Sequence, residues 1–256
     1  MRAGPALVLL ALLAATSPGD AITWGTPDSG HPFAGAFLIR YQGTWIEFCS
    51  GSLASPRVFL TAGHCTDWLV QHAWPVDQLV VSFSPMLFAP DAKWLNVTGY
   101  QSHPDYRWGP TSDPHDVGVL ILKDAVSGIT PVNLPTENYL DDLDARGLLQ
   151  GARFINVGYG TDQNVQDTNM REMSTSSFRN LHDAWLYMSQ NIHHDDGGTC
   201  YGDSGGPTLY RDANGVETQV AVTSWGDSAC KSTNNNYRVD IGSSLDFIHA
   251  MIDANP

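Results

Sequence analysis

The sequence predicts an all-β protein, and three observations support this class. The 256 residues include 24 glycines, 15 prolines and eight tryptophans, while only 16% of residues are charged. That composition is typical of a turn-rich β protein and not of a helical bundle. No stretch shows sustained helical heptads, an internal repeat or low complexity, and short apolar runs alternate with turn residues. A chain of this length can form one large domain or two small ones.

The N-terminal residues have the pattern of a secretory signal peptide. A basic second residue precedes an apolar run over residues 6–15, which small and turn-forming residues follow. A membrane anchor is the weaker alternative, because a spanning helix needs about 20 apolar residues. A cut before Ile22 follows small residues, and cuts after Ala15 or Ser17 also stay open. We therefore assign residues 1–21 to a signal peptide with a possible short propeptide, and we expect secretion.

Seven β-rich runs follow along the chain, each bounded by turn residues. They are Phe33–Tyr41, Trp45–Leu53, Arg57–Thr61, Leu79–Phe83, Val117–Leu122, Phe154–Gly158 and Gln219–Trp225. Many short strands at such spacing predict a sandwich or a barrel. Residues 136–150 are polar, and we expect them to link an N-terminal domain over residues 22–135 to a C-terminal domain over residues 151–256.

A helix is predicted at the C-terminal end of the chain. Apolar residues recur at helical spacing over Ser243–Ile252, with Ser243 or Ser244 as the expected cap.

The net charge of −14 excludes some classes of partner. A nucleic-acid-binding protein needs a basic surface, and an anionic membrane would repel this chain. We therefore expect no nucleic acid and, after signal cleavage, no membrane.

The four cysteines predict two disulfides in an oxidising compartment. Four cysteines allow three pairings, and the sequence alone does not choose among them. If each half of the chain folds locally, Cys49 pairs with Cys65 and Cys200 pairs with Cys230. A metal site is the alternative, but the spacings lack a C-x2-C element and the adjacent histidines and aspartates of residues 193–196 point in different directions. We expect no metal.

Three short segments carry candidate chemistry. Ser204 lies in the sequence GDSGGP, where flanking glycines permit a tight turn that exposes a nucleophile beside backbone N–H groups. An ordinary glycine-rich turn is the alternative. His64 lies in TAGHC beside a predicted disulfide, which would hold a general base stiffly. Asp116 lies at the start of the apolar run HDVGVL, where we expect it to be partly buried. A buried carboxylate needs a hydrogen-bond partner, such as an imidazole N–H.

These segments resemble the chymotrypsin/trypsin family, including its bacterial secreted members. The chain order His64, Asp116, Ser204 matches that family and differs from subtilisin and the α/β-hydrolases. The resemblance runs from Ile22 to the terminal helix. It implies two perpendicular six-stranded antiparallel β-barrels with the active site between them. It also implies a serine endopeptidase that uses no cofactor and acts on proteins or peptides.

The resemblance implies a role for each residue in acyl transfer. His64 takes the proton of Ser204 as general base, Asp116 orients the imidazole, and the N–H groups of Gly202 and Ser204 form the oxyanion hole. We expect activity to rise as His64 loses its proton, near pH 6.5–7.

Further matches concern substrate binding. The segment Ser224-Trp225-Gly226 resembles the strand that pairs with an extended substrate, and we expect the Ser224 hydroxyl to meet Asp116. Gly198 stands where trypsin-like members carry an aspartate. The resemblance implies that the pocket is lined by Gly198, Thr199 and Asn235, with Tyr201 near its mouth.

A neutral pocket favours uncharged substrate side chains, aromatic or large apolar, over lysine and arginine. A displaced loop that brings Asp195 or Asp196 into the pocket is the alternative.

The segment Ile22-Thr23-Trp24-Gly25 is similar to the mature N-terminus of the family. There the new ammonium inserts beside the aspartate before the nucleophile, here Asp203. No basic residue stands before Ile22, so we expect signal cleavage or a cut after Ala21 to create the active N-terminus directly.

Two other functions compete with the endopeptidase. A non-catalytic member of the same fold would bind partners through this surface, and an esterase would use the same three residues on small esters. We expect a monomer.

Overall fold

The N-terminal part of the computed structural model is a closed barrel of six antiparallel strands; the structure describes residues 22–109 and 111–256. The strands are β2 (Ala34–Tyr41), β3 (Thr44–Ser55), β4 (Val58–Thr61), β5 (Leu79–Ser82), β6 (Leu95–Ser102) and β7 (Gly118–Leu122). A short strand, β1 (Thr26–Pro27), precedes them. Around the barrel the order is β2-β3-β4-β7-β6-β5, and β5 pairs with β2 to close it. The predicted signal peptide lies outside the described residues.

The first barrel closes around alternating apolar side chains. Phe37, Leu53, Phe59, Val81 and Leu120 from five strands form one fully buried cluster. Successive side chains of a strand point to opposite faces, so these residues share the inward face. The runs could be predicted as strands because they are rich in apolar, β-forming residues. Helix α1 (Gly63–Gln71) follows β4 and packs against β6 and β7.

The second half forms another closed six-stranded antiparallel barrel. Its strands are β8 (Arg153–Gly158), β9 (Glu172–Leu181), β10 (Trp185–Ser189), β11 (Pro207–Arg211), β12 (Glu217–Gly226) and β13 (Thr233–Arg238). The order is β9-β10-β13-β12-β11-β8, and β8 pairs with β9 to close the barrel, while β1 adds to the outer edge of β9. The predicted fold class of two six-stranded antiparallel barrels is therefore confirmed.

The terminal helix joins the two barrels. Helix α3 (Gly242–Ala254) buries Phe247 and Ile248 in one cluster with Leu60 and Val119 of the first barrel and Val222 of the second. The predicted helix is confirmed, but its predicted cap is wrong. The helix begins at Gly242 with Ile241 before it and has no side-chain cap, because Ser243 and Ser244 lie inside its first turn; the Ser244 hydroxyl donates to the carbonyl of Arg238 at 3.3 Å.

The segment between the barrels contains a helix that the sequence analysis did not identify. Helix α2 (Tyr139–Ala145) buries Leu140 and Leu143 against the second barrel. The Leu140 N–H donates to Asp240 Oδ2 at 2.8 Å, which satisfies one N–H of the first turn.

Two strands of the second barrel have polar interiors and gave no alternating apolar signal. Ser176 of β9 and Asn236 of β13 are fully buried. The Asn156 amide donates to the Ser176 hydroxyl at 2.8 Å, and the Thr208 hydroxyl donates to Asn156 Oδ1 at 3.1 Å. Buried polar groups that hydrogen-bond one another here replace part of the apolar core.

None of the helices in residues 22–109 and 111–256 is both long and apolar enough to cross a membrane.

Candidate active site

Ser204 lies in a turn that touches the first barrel. Gly202 and Gly205 have φ angles of 94° and 80°, which glycine adopts without side-chain strain. A Cβ on Gly205 would lie 2.0 Å from the Thr61 hydroxyl oxygen. Only glycine therefore lets this turn approach the end of β4, from which the chain continues to His64.

Hydrogen bonds to β12 fix the same turn from its other side. The Gly205 N–H donates to the carbonyl of Thr223 at 2.8 Å, and the Thr223 N–H donates to the carbonyl of Gly206 at 2.9 Å. Because Ser224 follows Thr223 directly, these bonds hold Ser224 and Ser204 in a fixed relation.

His64 and Asp116 contact each other twice. His64 lies in the first turn of α1, where its backbone N–H donates to Asp116 Oδ1 at 2.7 Å. The His64 Nδ1 lies 3.0 Å from Asp116 Oδ2, and the Ser224 hydroxyl also donates to Oδ2. Asp116 is only 3% exposed, so these donors offset the cost of burying its charge. The predicted contact between Ser224 and Asp116 is present.

The environment shifts the pKa of both groups. Burial alone would lower the pKa of His64, but the charge and hydrogen bond of Asp116 raise it above its ordinary value. Burial alone would raise the pKa of Asp116, but His64 and the Ser224 hydroxyl lower it. The carboxylate is therefore ionised at neutral pH and stabilises a protonated imidazole.

His64 and Ser204 line the same cavity, together with Phe48, Trp68 and the Cys49–Cys65 disulfide. The structure thus brings the three residues of the predicted triad to one place, although 140 residues separate the histidine from the serine along the chain.

A second cavity, of about 250 Å³, opens beside Ser204 and is here called the Ser204 cavity. Of the predicted substrate-binding residues, the following line it: Thr199, Tyr201, Ser224, Trp225 and Gly226. Gly198 and Asn235 are outside this lining. Gly198 directly precedes Thr199, and Asn235 pairs with Trp225 across β12 and β13, so both lie next to lining residues.

Asp227 is the one carboxylate among the described residues that line this cavity. Its Oδ1 accepts the backbone N–H groups of Ser232 and Thr233, each at 2.8 Å, so the carboxylate is held within its own loop. Asp196 is buried outside this lining; its Oδ1 accepts the N–H of Ser177 at 3.1 Å and pairs with Arg153 at 3.2 Å, while its Oδ2 has no hydrogen-bond partner. Asp195 is exposed at the surface. The displaced-loop alternative is therefore absent from this structure.

Ile22 is buried beside a group of acidic side chains. Its backbone nitrogen donates to Glu172 Oε2 at 3.3 Å, and not to the predicted partner Asp203. Asp203 instead accepts the N–H of Gly160 at 2.9 Å and that of Cys200 at 2.8 Å. Ile22 precedes Thr23, which pairs with Gly198, so the segment lies against the turn that leads to Ser204.

Sequence reasoning missed three of the residues around the site. Glu47 lies against Gly202, where a Cβ would be 2.6 Å from Glu47 Oε2. Tyr106 and Trp185 line a third cavity, which His64 and Trp225 also border. From the sequence alone, Tyr106 and Trp185 could be assigned only to the core or the surface, because nothing in the sequence places them beside His64.

The four cysteines form the disulfides Cys49–Cys65 and Cys200–Cys230. The single grouping of three possible metal ligands in residues 22–109 and 111–256 is Cys49, His64 and Cys65. Both sulfurs are committed to the disulfide and offer no thiolate, so this grouping does not fit a metal ion.

Comparison with known proteins identifies the family. The family model described as Trypsin matches residues 22–248. A trypsin of Saccharopolyspora erythraea is 28% identical over 234 residues, which cover 88% of this chain and 94% of that protein. A lectizyme of Glossina austeni is 27% identical over 212 residues, which cover 77% and 74%. Glucanase inhibitor protein 4 of Phytophthora infestans is 28% identical over 184 residues, which cover 69% and 67%.

The matched residues contain both barrels, both disulfides and the cluster of His64, Asp116 and Ser204. The chain belongs to the trypsin family and is a serine-type endopeptidase.

Proposed function

We propose that this protein hydrolyses peptide bonds through a triad of Ser204, His64 and Asp116. The observation that carries the proposal is the 3.0 Å contact between His64 Nδ1 and Asp116 Oδ2, in a histidine that shares a cavity with Ser204. A proton on Nδ1 directed at the carboxylate leaves the Nε2 lone pair to accept the Ser204 proton.

The reaction proceeds in two acyl transfers. His64 Nε2 takes the hydroxyl proton as Ser204 Oγ bonds to the peptide carbonyl carbon, and Asp116 stabilises the resulting imidazolium. The imidazolium then protonates the leaving amine, the C–N bond breaks and the acyl group stays on Ser204. Water then attacks the ester carbonyl carbon as His64 takes its proton, and His64 gives this proton to Ser204 Oγ as the C–Oγ bond breaks and the acid leaves.

The N–H groups of Gly202 and Ser204 are proposed to bind the developing oxyanion. Neither N–H donates to an acceptor within the described residues, which leaves both available for a ligand. The positive φ of Gly202 supports this role, because that conformation turns the peptide group in a way other residues resist.

The Ser224-Trp225-Gly226 segment is proposed to pair with the substrate backbone. Its residues end β12 beside the Ser204 cavity, and Trp225 is 49% exposed. An extended peptide added to this edge would carry one side chain into the cavity. This favours peptides over small esters as substrates.

We further propose that the protein is secreted and acts as a monomer. The two disulfides and the predicted signal peptide support export to an oxidising compartment.

Fluorophosphonate labelling tests the triad. The wild type should be labelled, Ser204→Ala should not be, and His64→Ala should be labelled far more slowly. Peptide hydrolysis should be lost in parallel. A folded wild type that takes no label would indicate a binding protein instead. This alternative is tested because one relative is named a glucanase inhibitor protein.

A further inference from the structure

Amide side chains, and not a carboxylate, back the wall of the Ser204 cavity. Thr199 and Thr223 line the cavity. The Thr199 hydroxyl donates to Asn234 Oδ1 at 2.9 Å, so the amide of Asn234 lies directly behind the wall. Gln190 is fully buried in the same region, where its backbone N–H donates to the carbonyl of Ser232 in the adjacent loop.

The Gln190 side chain occupies the space that a side chain at position 198 would need. A Cβ on Gly198 would lie 2.0 Å from Gln190 Oε1 and 2.4 Å from Gln190 Cβ. Atoms that close cannot coexist, so Gly198 carries no side chain and the amide of Gln190 stands in its place. The functional group next to Gly198 is therefore the carboxamide of Gln190, eight positions earlier in the chain.

Both polar atoms of this carboxamide lack a partner. Gln190 Oε1 and Nε2 are buried without a hydrogen bond, and the same is true of Thr223 Oγ1 and Asn235 Oδ1. Native proteins seldom leave buried polar atoms unpaired, because the lost hydration is not recovered. Thr223 lines the cavity, Asn235 pairs with the lining residue Trp225, and Gln190 lies against Gly198 next to the lining residue Thr199. Unpaired polar atoms in and beside the wall of a ligand cavity indicate groups that pair with the ligand.

Together these unpaired atoms can both donate and accept hydrogen bonds. Gln190 Nε2 is a donor, Gln190 Oε1 and Asn235 Oδ1 are acceptors, and the Thr223 hydroxyl can act as either. A neutral group that is itself donor and acceptor, such as a hydroxyl or a carboxamide, matches this set. A lysine or arginine would need a carboxylate as its partner; the charge of Asp196 is already compensated by Arg153, and Asp227 is held by the backbone of its own loop.

We propose that Gln190 selects substrates whose residue before the scissile bond, P1, is uncharged and ends in a hydroxyl or carboxamide. This inference rests on the proposed peptide hydrolysis at Ser204. The expected preference is for uncharged side chains, aromatic or large apolar. This inference makes the preference depend on hydrogen bonding: tyrosine over phenylalanine, and glutamine over methionine. A site whose buried polar groups need partners discriminates against the isosteric side chain that lacks them.

The test uses peptide substrates that are identical except at P1, presented as the pairs Tyr/Phe and Gln/Met, with Lys as a fifth substrate. The enzyme is the full chain, purified in the form that a fluorophosphonate labels. The wild type should show kcat/KM about tenfold higher for the polar member of each pair. Gln190→Leu replaces the carboxamide by an apolar side chain and should bring both ratios to about 1. Gln190→Glu should raise kcat/KM for the Lys substrate.

Ser55→Ala is the matched control, because Ser55 also carries a buried, unpaired oxygen but lies in β3 of the first barrel. Its P1 ratios should equal those of the wild type. Equal kcat/KM for Tyr and Phe in the wild type, or ratios unchanged in Gln190→Leu, would overturn the inference while leaving the peptidase intact. If Gln190→Leu does not fold, the wild-type ratios decide alone. Absence of both labelling and cleavage in the wild type would instead overturn the proposed function, and this inference with it.

Discussion

The backbone nitrogen of Ile22 lies 3.3 Å from Glu172 Oε2. Ile22, Glu172 and Asp203 are each fully buried. Burial raises the pKa of Asp203 to about 8 in spite of the N–H groups of Cys200 and Gly160, and the charge of Glu172 adds to the rise. A cation placed here would stabilise both carboxylates. A cut before Ile22 would create one, as an ammonium at the atom that now contacts Glu172.

The first prediction concerns Asp203, which anchors the turn that carries Ser204. Asp203→Asn keeps the size but removes the charge and one acceptor. We expect kcat/KM to fall about 100-fold or more, because the Gly202 and Ser204 N–H groups lose their fixed geometry. Steady-state kinetics of the form that begins at Ile22 is the measurement.

Asp212→Asn is the control for this change. Asp212 also accepts backbone N–H groups, but in the hairpin between β11 and β12. It should leave kcat/KM unchanged. Wild-type kinetics in Asp203→Asn, or an active form that does not begin at Ile22, would contradict the proposed activation.

The second prediction is the pH dependence of activity. The proposed base His64 must be neutral, and Asp116 raises its pKa above the ordinary 6.5. As pH falls through that raised pKa the imidazole gains a proton and kcat/KM declines, so the acid limb should have its midpoint above pH 6.5. Asp116→Asn should shift the midpoint down and lower kcat by about 10⁴-fold. If the midpoint of the variant equals that of the wild type, Asp116 does not set the pKa of His64.

Local motifs explain why the site could be predicted in part from the sequence. The glycines of GDSGGP and the cysteine of TAGHC act within a few residues, so their constraints on Ser204 and His64 are visible in the sequence. The meeting of these segments is not local, since it depends on the packing of one barrel on the other. That part of the prediction came from the resemblance to the family.

Glu172 and Gln190 show why the remainder could not be predicted. Each is a polar residue in a polar stretch, which in a sequence is typical of a surface. Their burial is a property of the second barrel, where Glu172 begins β9 and Gln190 follows β10. Strands β9 and β13 could not be predicted for the same reason. Their inward residues are serine and asparagine, so the sequence shows no alternation of apolar and polar residues there.

The third prediction compares the two disulfides. Removing both cysteines of a bridge as alanines should cost about 3 kcal/mol for Cys49–Cys65 and about 3.6 kcal/mol for Cys200–Cys230, because the second closes the longer loop, of 30 against 16 residues. The second variant should also raise KM more than the first, since Cys200 and Cys230 line the Ser204 cavity, whereas Cys49 and Cys65 line the other cavity that contains Ser204. Urea unfolding and steady-state kinetics measure the two effects. Equal KM in the two variants would contradict the assigned role of the cavity.

The last prediction concerns stability against pH and the buried His31. Its Nδ1 lies 2.8 Å from Asp28 Oδ1, and its Nε2 lies 3.0 Å from Glu217 Oε2. Burial alone would lower the pKa of His31, but Asp28 and then Glu217 raise it above 6.5. Burial alone would raise the pKa of Asp28, but His31 lowers it below 3.8. The charged pair therefore stabilises the fold fully between about pH 4 and 6.5.

His31→Asn should consequently lower the free energy of unfolding by about 2 kcal/mol in that window. Because a raised histidine pKa stabilises only the protonated form, the difference from wild type should shrink as pH rises through the folded-state pKa of His31. Glu217→Gln keeps the bond to Asp28 and should give a smaller loss with the same pH trend. Urea unfolding at intervals from pH 5 to 9 measures both. A difference that grows with pH would show that His31 is neutral when buried, and would reverse the assignment of its charge.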